Sequence, residues 1–127
     1  DELAEHLALV DVAVSAKVSA TEGNGKLLNY MAAGLPAVAY ETDVARDILG
    51  PLGAYAPPGD IAALGQAIEA LLNDPARRAQ LGAALRARAE SELSWDAAGR
   101  KLARLYDELV SARSAVRLPE SVRARSN

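Results

Sequence analysis

Residues 21–36 read TEGNGKLLNYMAAGLP and hold the strongest structural signal of the chain. Two glycines lie in a polar loop, and Leu27 to Ala33 then has helical character. Gly34 and Pro36 predict where that helix ends, because glycine favours a helix C-cap and proline cannot continue the helix. The short apolar runs at 12–14 and 37–40 predict buried strands on either side. The stretch therefore predicts a strand, a glycine loop, a helix and a second strand.

The rest of the chain extends this alternation. Residues 2–10 predict a helix, residues 44–49 a helical turn or two, and residues 53–56 a third short strand. Three further helices are predicted after Asp60, after Asp74 and from Ser94. Strands separated by helices pair in parallel. We predict an α/β fold that forms half of a doubly wound, Rossmann-like parallel sheet, with three short strands and a helical carboxy-terminal segment.

Length and composition suit one modest domain. The chain has 127 residues, of which half are apolar, enough for a single core. We expect residues 1–112 to form that folded part. Residues 113–127 carry four arginines and one glutamate without an apolar period, and we predict a basic, disordered tail there.

Charge and cysteine content exclude several classes of function. Seventeen acidic residues against 14 basic ones give a net charge of −3, whereas a nucleic-acid partner favours a basic excess. The absence of cysteine excludes disulfides, thiolate metal sites and cysteine nucleophiles, and favours a cytoplasmic location. No apolar run approaches the ~18 residues of a membrane span. The chain opens Asp-Glu-Leu-Ala-Glu without a signal-peptide pattern, which we interpret as an internal segment of something longer.

The glycine loop is a candidate anion site. Amides at a helix N-terminus lack intrahelical partners, and the helix dipole favours negative charge there. Gly23 and Gly25 would let a phosphate approach the backbone closely, and Lys26 adds a positive charge within reach. The spacing fits neither the P-loop nor the dinucleotide fingerprint. A phosphate site and an ordinary tight turn both remain open on these residues alone.

The sequence resembles the carboxy-terminal part of a GT-B-fold, family-4-type (group 1) retaining glycosyltransferase. Three passages over residues 2–110 carry the resemblance, in the family's order and spacing: residues 21–39; residues 55–60 with the leucine-bearing helix behind them; and Asn73-Asp74-Pro75, Leu81-Gly82, Ser94-Trp95 and Leu105-Tyr106. The resemblance implies transfer of a sugar, with retention, from a nucleoside diphosphate sugar to an acceptor hydroxyl of unknown identity.

The resemblance also implies a role for each loop residue. Glu22 matches the catalytic glutamate that contacts the donor sugar. Asn29 stands where the family usually has a second glutamate, which binds the ribose; six residues separate the two positions, one fewer than in the family. Lys17, at the end of the first strand, is a candidate rim residue. The diphosphate would be held by Gly23, Asn24, Gly25, Lys26 and Leu27. We expect no metal and no cofactor, the nucleotide sugar being the substrate.

The family's amino-terminal domain and the first half of its donor domain have no counterpart in these residues. We therefore expect the chain to be inactive alone, and to require the missing domain or to self-associate through the open edge of its first strand. Two alternatives come from other functional classes: a non-catalytic phospholigand-binding module and a protein-interaction module.

Overall fold

A computed structural model of the chain describes residues 2–19 and 22–115. Its elements are α1 (Glu2–Leu7), β1 (Ala13–Ser15), α2 (Gly25–Ala32), β2 (Ala37–Tyr40), α3 (Asp43–Leu49), a 3-10 turn (Gly50–Leu52), β3 (Ala54–Ala56), α4 (Ile61–Leu72), α5 (Pro75–Arg88), a π-helical segment (Ala89–Leu93) and α6 (Trp95–Ala115). The chain divides into two compact units, Asp1–Ser94 and Trp95–Asn127.

The first unit contains a parallel sheet of three strands in the order β1-β2-β3. Ala13 of β1 lies opposite Ala37 of β2, and Val38 of β2 lies opposite Ala54 of β3. This arrangement confirms the predicted α/β, Rossmann-like half sheet. Within the described ranges the outer edge of β1 has no strand partner, and self-association through that edge stays a prediction.

The central strand β2 divides the core into two clusters, because successive side chains of a strand point to opposite faces. On one face, Ala37 and Ala39 pack with buried residues of α2, α3 and α5, namely Leu27, Met31, Ala45, Leu49 and Leu85. On the other face, Val38 and Tyr40 pack with Ala56 of β3 and with Leu64 and Leu71 of α4. All four residues of β2 are buried, as expected for a strand covered on both faces.

Side chains cap the N-termini of three helices in this unit. Thr42, Asp60 and Asp74 precede α3, α4 and α5, and each accepts a hydrogen bond from an amide in the first turn, over 3.2, 2.9 and 2.9 Å. Such caps satisfy amides that the helix itself leaves without an acceptor. Asn24 precedes α2 but makes no cap bond with its side chain.

Two glycines bring α5 against the end of α2. Gly34 follows α2 with φ of 72°, a left-handed conformation that glycine adopts at little cost. A Cβ atom at Gly82 of α5 would fall far inside van der Waals contact with the carbonyl oxygen of Gly34. The backbones therefore meet at a distance that only glycine at position 82 permits.

Arginines of α5 bind the carbonyl ends of two other helices. Arg78 donates to the carbonyl oxygens of Leu71 and Leu72 at the end of α4, over 3.3 and 2.5 Å. Arg88 donates to those of Asp47 and Ile48 near the end of α3, over 3.1 and 3.0 Å. The last carbonyls of a helix lack donors within regular helix geometry, and these arginines donate to them at both helix ends; that of Leu71 also accepts from the Asp74 amide.

In the second unit the structure describes one helix, α6, which has 21 residues and begins directly after Ser94, as predicted. It continues to Ala115, three residues into the predicted tail. Residues 116–127 lie outside the described residues, so the disorder expected there stays a prediction. None of the helices in the described ranges has the length and apolarity needed to cross a membrane.

Candidate functional site

A cleft of about 350 Å³ lies where β1 ends and α2 begins. Its walls come from the carboxyl end of the strand, the following loop and the first turns of the helix: Val14, Ser15, Ala16, Lys17, Gly23, Asn24, Gly25, Lys26 and Tyr30. Ligands of open α/β sheets bind beyond the carboxyl ends of the strands. The cleft therefore occupies the edge at which this fold class binds its substrates.

A buried hydrogen bond fixes the loop to the strand. The Asn24 side-chain Nδ2 donates to Ser15 Oγ over 2.7 Å, and each of the two residues is only 7% exposed. Because the Asn24 side chain is engaged with β1, it does not turn back to cap α2. The loop is anchored, and the helix start has no side-chain cap.

The start of α2 faces the cleft with amides and positive charge. Gly25 and Lys26 hold the first two helical positions, where α-helix geometry provides no intrahelical acceptor for the amide. The Leu27 amide donates to the Asn24 carbonyl oxygen over 3.0 Å. No acidic side chain lies in the first turn, and Lys26 lines the cleft. This combination of helix dipole, amides and ammonium group suits an anion.

Lys17 connects the strand end to the glycine loop. Its Nζ lies 2.9 Å from Glu22 Oε2 and donates to the Gly23 carbonyl oxygen over 3.1 Å. The hydrogen bond from Lys17, followed by its charge, lowers the pKa of the Glu22 carboxyl. Glu22 therefore stays ionised to a lower pH than an isolated glutamate would.

The predicted site residues fall into two groups. The structure brings Lys17, Gly23, Asn24, Gly25 and Lys26 together as walls of the cleft. The others lie outside its lining: Glu22 with a 73% exposed side chain held by Lys17, Leu27 fully buried in the core, and Asn29 exposed on α2.

Four cleft residues were missed from the sequence: Val14, Ser15, Ala16 and Tyr30. Ser15 ends β1 and binds the Asn24 side chain. Its position at the carboxyl end of a predicted strand could have identified it as a site candidate, because ligands of open α/β sheets bind there. Tyr30 lines the cleft and also packs against the core cluster that contains Leu27 and Met31. Across residues 2–19 and 22–115, no three His, Asp or Glu side chains are close enough to hold a metal ion.

Several proteins have sequences similar to that of this chain. A family model described as glycosyl transferases group 1 matches residues 1–74. The chain is 36% identical over 95 residues to a phosphatidyl-myo-inositol mannosyltransferase of Mycobacterium leprae, which covers 72% of the chain and 25% of that protein. It is 37% identical over 76 residues to a GDP-mannose-dependent monoacylated alpha-(1-6)-phosphatidylinositol monomannoside mannosyltransferase of Corynebacterium glutamicum, covering 59% of the chain and 20% of that protein.

A solved structure has the same fold. The chain superimposes on sucrose-phosphate synthase from Thermosynechococcus elongatus with a TM-score of 0.74 and 29% identity, covering 87% of the chain and 28% of that protein. The chain thus spans between 20% and 28% of the length of these relatives. The matched family model extends over more than half of the chain and includes the whole cleft. The chain therefore belongs to the group 1 glycosyltransferases.

Proposed function

We propose that this chain forms part of the donor site of a GT-B glycosyltransferase, which transfers a sugar from a nucleoside diphosphate sugar to an acceptor hydroxyl with retention. One observation carries the proposal: the cleft beyond β1 combines an α2 start that has no side-chain cap with the ammonium group of Lys26. Membership of the group 1 glycosyltransferases supports a nucleotide sugar as the ligand of this anion site.

The diphosphate is the proposed ligand of the helix start. The amides of Gly25 and Lys26 lie at the positive end of the α2 dipole, and the Lys26 side chain adds a full charge. Negative charge grows on the departing diphosphate as the glycosidic bond breaks. Donors already oriented toward that charge stabilise the transition state without reorganising. These groups can perform that role without a metal ion.

Glu22 is the proposed contact to the donor sugar. Its carboxylate is held by Lys17, which also holds the next carbonyl of the loop, that of Gly23. In this proposal Lys17 orients the loop and extends the ionisation of Glu22 to lower pH, while Lys26 attracts the phosphates. The two lysines of the cleft therefore have different tasks.

Asn29 is the proposed ribose contact. It is exposed on α2, one helical turn after Gly25. Its amide offers an acceptor oxygen and donor hydrogens to a ribose diol. A neutral amide makes weaker hydrogen bonds than a carboxylate, so the ribose should contribute less to affinity here than where a glutamate is present.

GDP-mannose is the first donor to test, because both curated relatives are mannosyltransferases and one is named as GDP-mannose-dependent. Calorimetric titration of the intact protein with GDP, UDP and orthophosphate measures the preference of the site. We expect at least one nucleotide to bind roughly tenfold or more tightly than orthophosphate, since a donor site also contacts the nucleoside. A proton NMR spectrum of the product's anomeric position tests retention.

Lys26→Gln should weaken nucleotide binding by about tenfold, the loss expected for one charge-assisted hydrogen bond. Arg86→Gln, on α5 of the same unit and outside the cleft lining, also removes one positive charge and should leave affinity unchanged. Equal affinity for orthophosphate and nucleotides would instead favour a non-catalytic phospholigand module. Failure to bind any of the three would contradict the proposal.

A further inference from the structure

Asn24 stands at the position from which other helices of this chain are capped. Its backbone, with φ of −112° and ψ of 60°, is close to that of Asp74, with φ of −127° and ψ of 82°. Asp74 caps α5 from that conformation. Asparagine is among the preferred capping residues, so neither the backbone nor the residue type explains why the Asn24 side chain leaves α2 uncapped.

The difference lies in Ser15. The Asn24 Nδ2 group donates to Ser15 Oγ over 2.7 Å, in a pair of residues that are each more than nine-tenths buried. Ser15 is the last residue of β1, which pairs with β2 through Ala39, so its position is fixed by the sheet. The hydroxyl therefore holds the Asn24 side chain against the strand from a rigid support.

We propose that Ser15 is a positioning residue of the donor site. By holding the Asn24 side chain against β1, its hydroxyl leaves the first amides of α2 available to the diphosphate. The inference rests on the proposed function and goes beyond it, because Ser15 acts through Asn24. Released from Ser15, the Asn24 side-chain oxygen would compete with the phosphate oxygens for the amide of Lys26, at the second helical position, which a cap can satisfy. The amide of Leu27, at the third position, already donates to the Asn24 carbonyl oxygen.

This competition has a signature that a purely structural role lacks. Ser15→Ala frees Asn24 to cap α2, and GDP affinity in the intact protein should fall about fivefold, part of the value of a charge-assisted hydrogen bond. Adding Asn24→Gly removes the competing side chain. The double variant should therefore bind GDP more tightly than Ser15→Ala and regain most of the affinity that the single substitution loses.

Thermal unfolding of the same proteins completes the test. The double variant has neither the Ser15 bond nor a cap, so it should melt below Ser15→Ala although it binds GDP more tightly. A structural role predicts that affinity and melting temperature fall together. If the double variant binds GDP as weakly as Ser15→Ala, or if Ser15→Ala binds normally, the inference is wrong while the proposed function stands. If the unmodified protein binds neither GDP nor UDP, both are wrong.

Discussion

The start of α2 and the starts of α4 and α5 use the same helix geometry in opposite ways. Asp60 and Asp74 bring an acceptor to the first turns of α4 and α5, so those amides are satisfied within the protein. Asn24 turns away from α2 to bind Ser15, and the adjoining cleft contains Lys17 and Lys26. In the first arrangement a side-chain cap satisfies a helix amide within the protein, and in the second the helix start has no side-chain cap.

The comparison shows that the residue type before a helix does not by itself determine whether its side chain caps that helix. Asn24 is as good a capping residue by type as either aspartate. What separates them is a serine nine residues earlier in the chain, brought close by the sheet. The destination of one side chain thus distinguishes a structural helix start from a candidate binding site.

The largest effect is expected from a substitution that displaces α2 and with it the wall of the cleft. Gly82→Ala puts a Cβ against the Gly34 carbonyl at the end of α2, and backbone must move to accept it. We expect a loss of about 3 kcal/mol or more in the free energy of unfolding, measured by urea denaturation, with weaker GDP binding. Gly65→Ala in α4 meets no atom within 4 Å and should be stabilising by about 0.5–1 kcal/mol. Similar unfolding for both variants would contradict the close approach.

The next largest effect concerns chemistry at the cleft. Glu22→Gln keeps the size of the side chain but removes the charge that would face the donor sugar. In the intact enzyme we expect kcat to fall about a hundredfold with little change in GDP affinity, since the interaction counts most in the transition state. Glu69→Gln, on the exposed face of α4, is the matched control. Full turnover by Glu22→Gln would show that the residue is not catalytic.

Removing a cap should affect stability and spare binding. Asp74→Ala takes the acceptor from the Arg77 amide, and the free energy of unfolding should fall by about 1 kcal/mol. Asp74→Asn keeps an acceptor oxygen and should retain most of that stability. GDP affinity should be the same in both, because α5 starts away from the cleft. A change in affinity would mean that the helix starts are not separate in function.

The smallest expected effect is a shift in the pH dependence of kcat/KM. Lys17 lowers the pKa of Glu22 through a hydrogen bond and its charge. In Lys17→Met that pKa should rise toward its ordinary value, so Glu22 would become protonated at a higher pH. The acid-side loss of kcat/KM should therefore begin at a higher pH than in the unmodified enzyme. Arg86→Met, outside the cleft lining, should leave the profile in place. A Lys17→Met profile that superimposes on that of the unmodified enzyme would exclude the assigned role.

Local patterns in the sequence predict most of the fold. Alternating apolar runs and turn residues indicate the three strands, and Asp60 and Asp74 mark the helix starts at which they are found. The glycine loop and Lys26 also indicate the cleft, because these residues are adjacent in the sequence. The Ser15–Asn24 and Lys17–Glu22 contacts depend on how the loop returns to the strand. The path of the loop cannot be predicted from residue periodicity. The sequence therefore indicates where the site is but not which contacts hold its loop.

The arginines of α5 determine where the chain can be shortened. The carbonyl of Ile48 receives its hydrogen bond from Arg88, 40 residues later in the sequence. During synthesis, which proceeds from the amino terminus, α3 is therefore made well before the group that completes its end. A truncation that keeps the cleft but ends before Arg88 would leave α3 and its core residue Leu49 without this support. A minimal soluble fragment for binding studies should extend past Arg88.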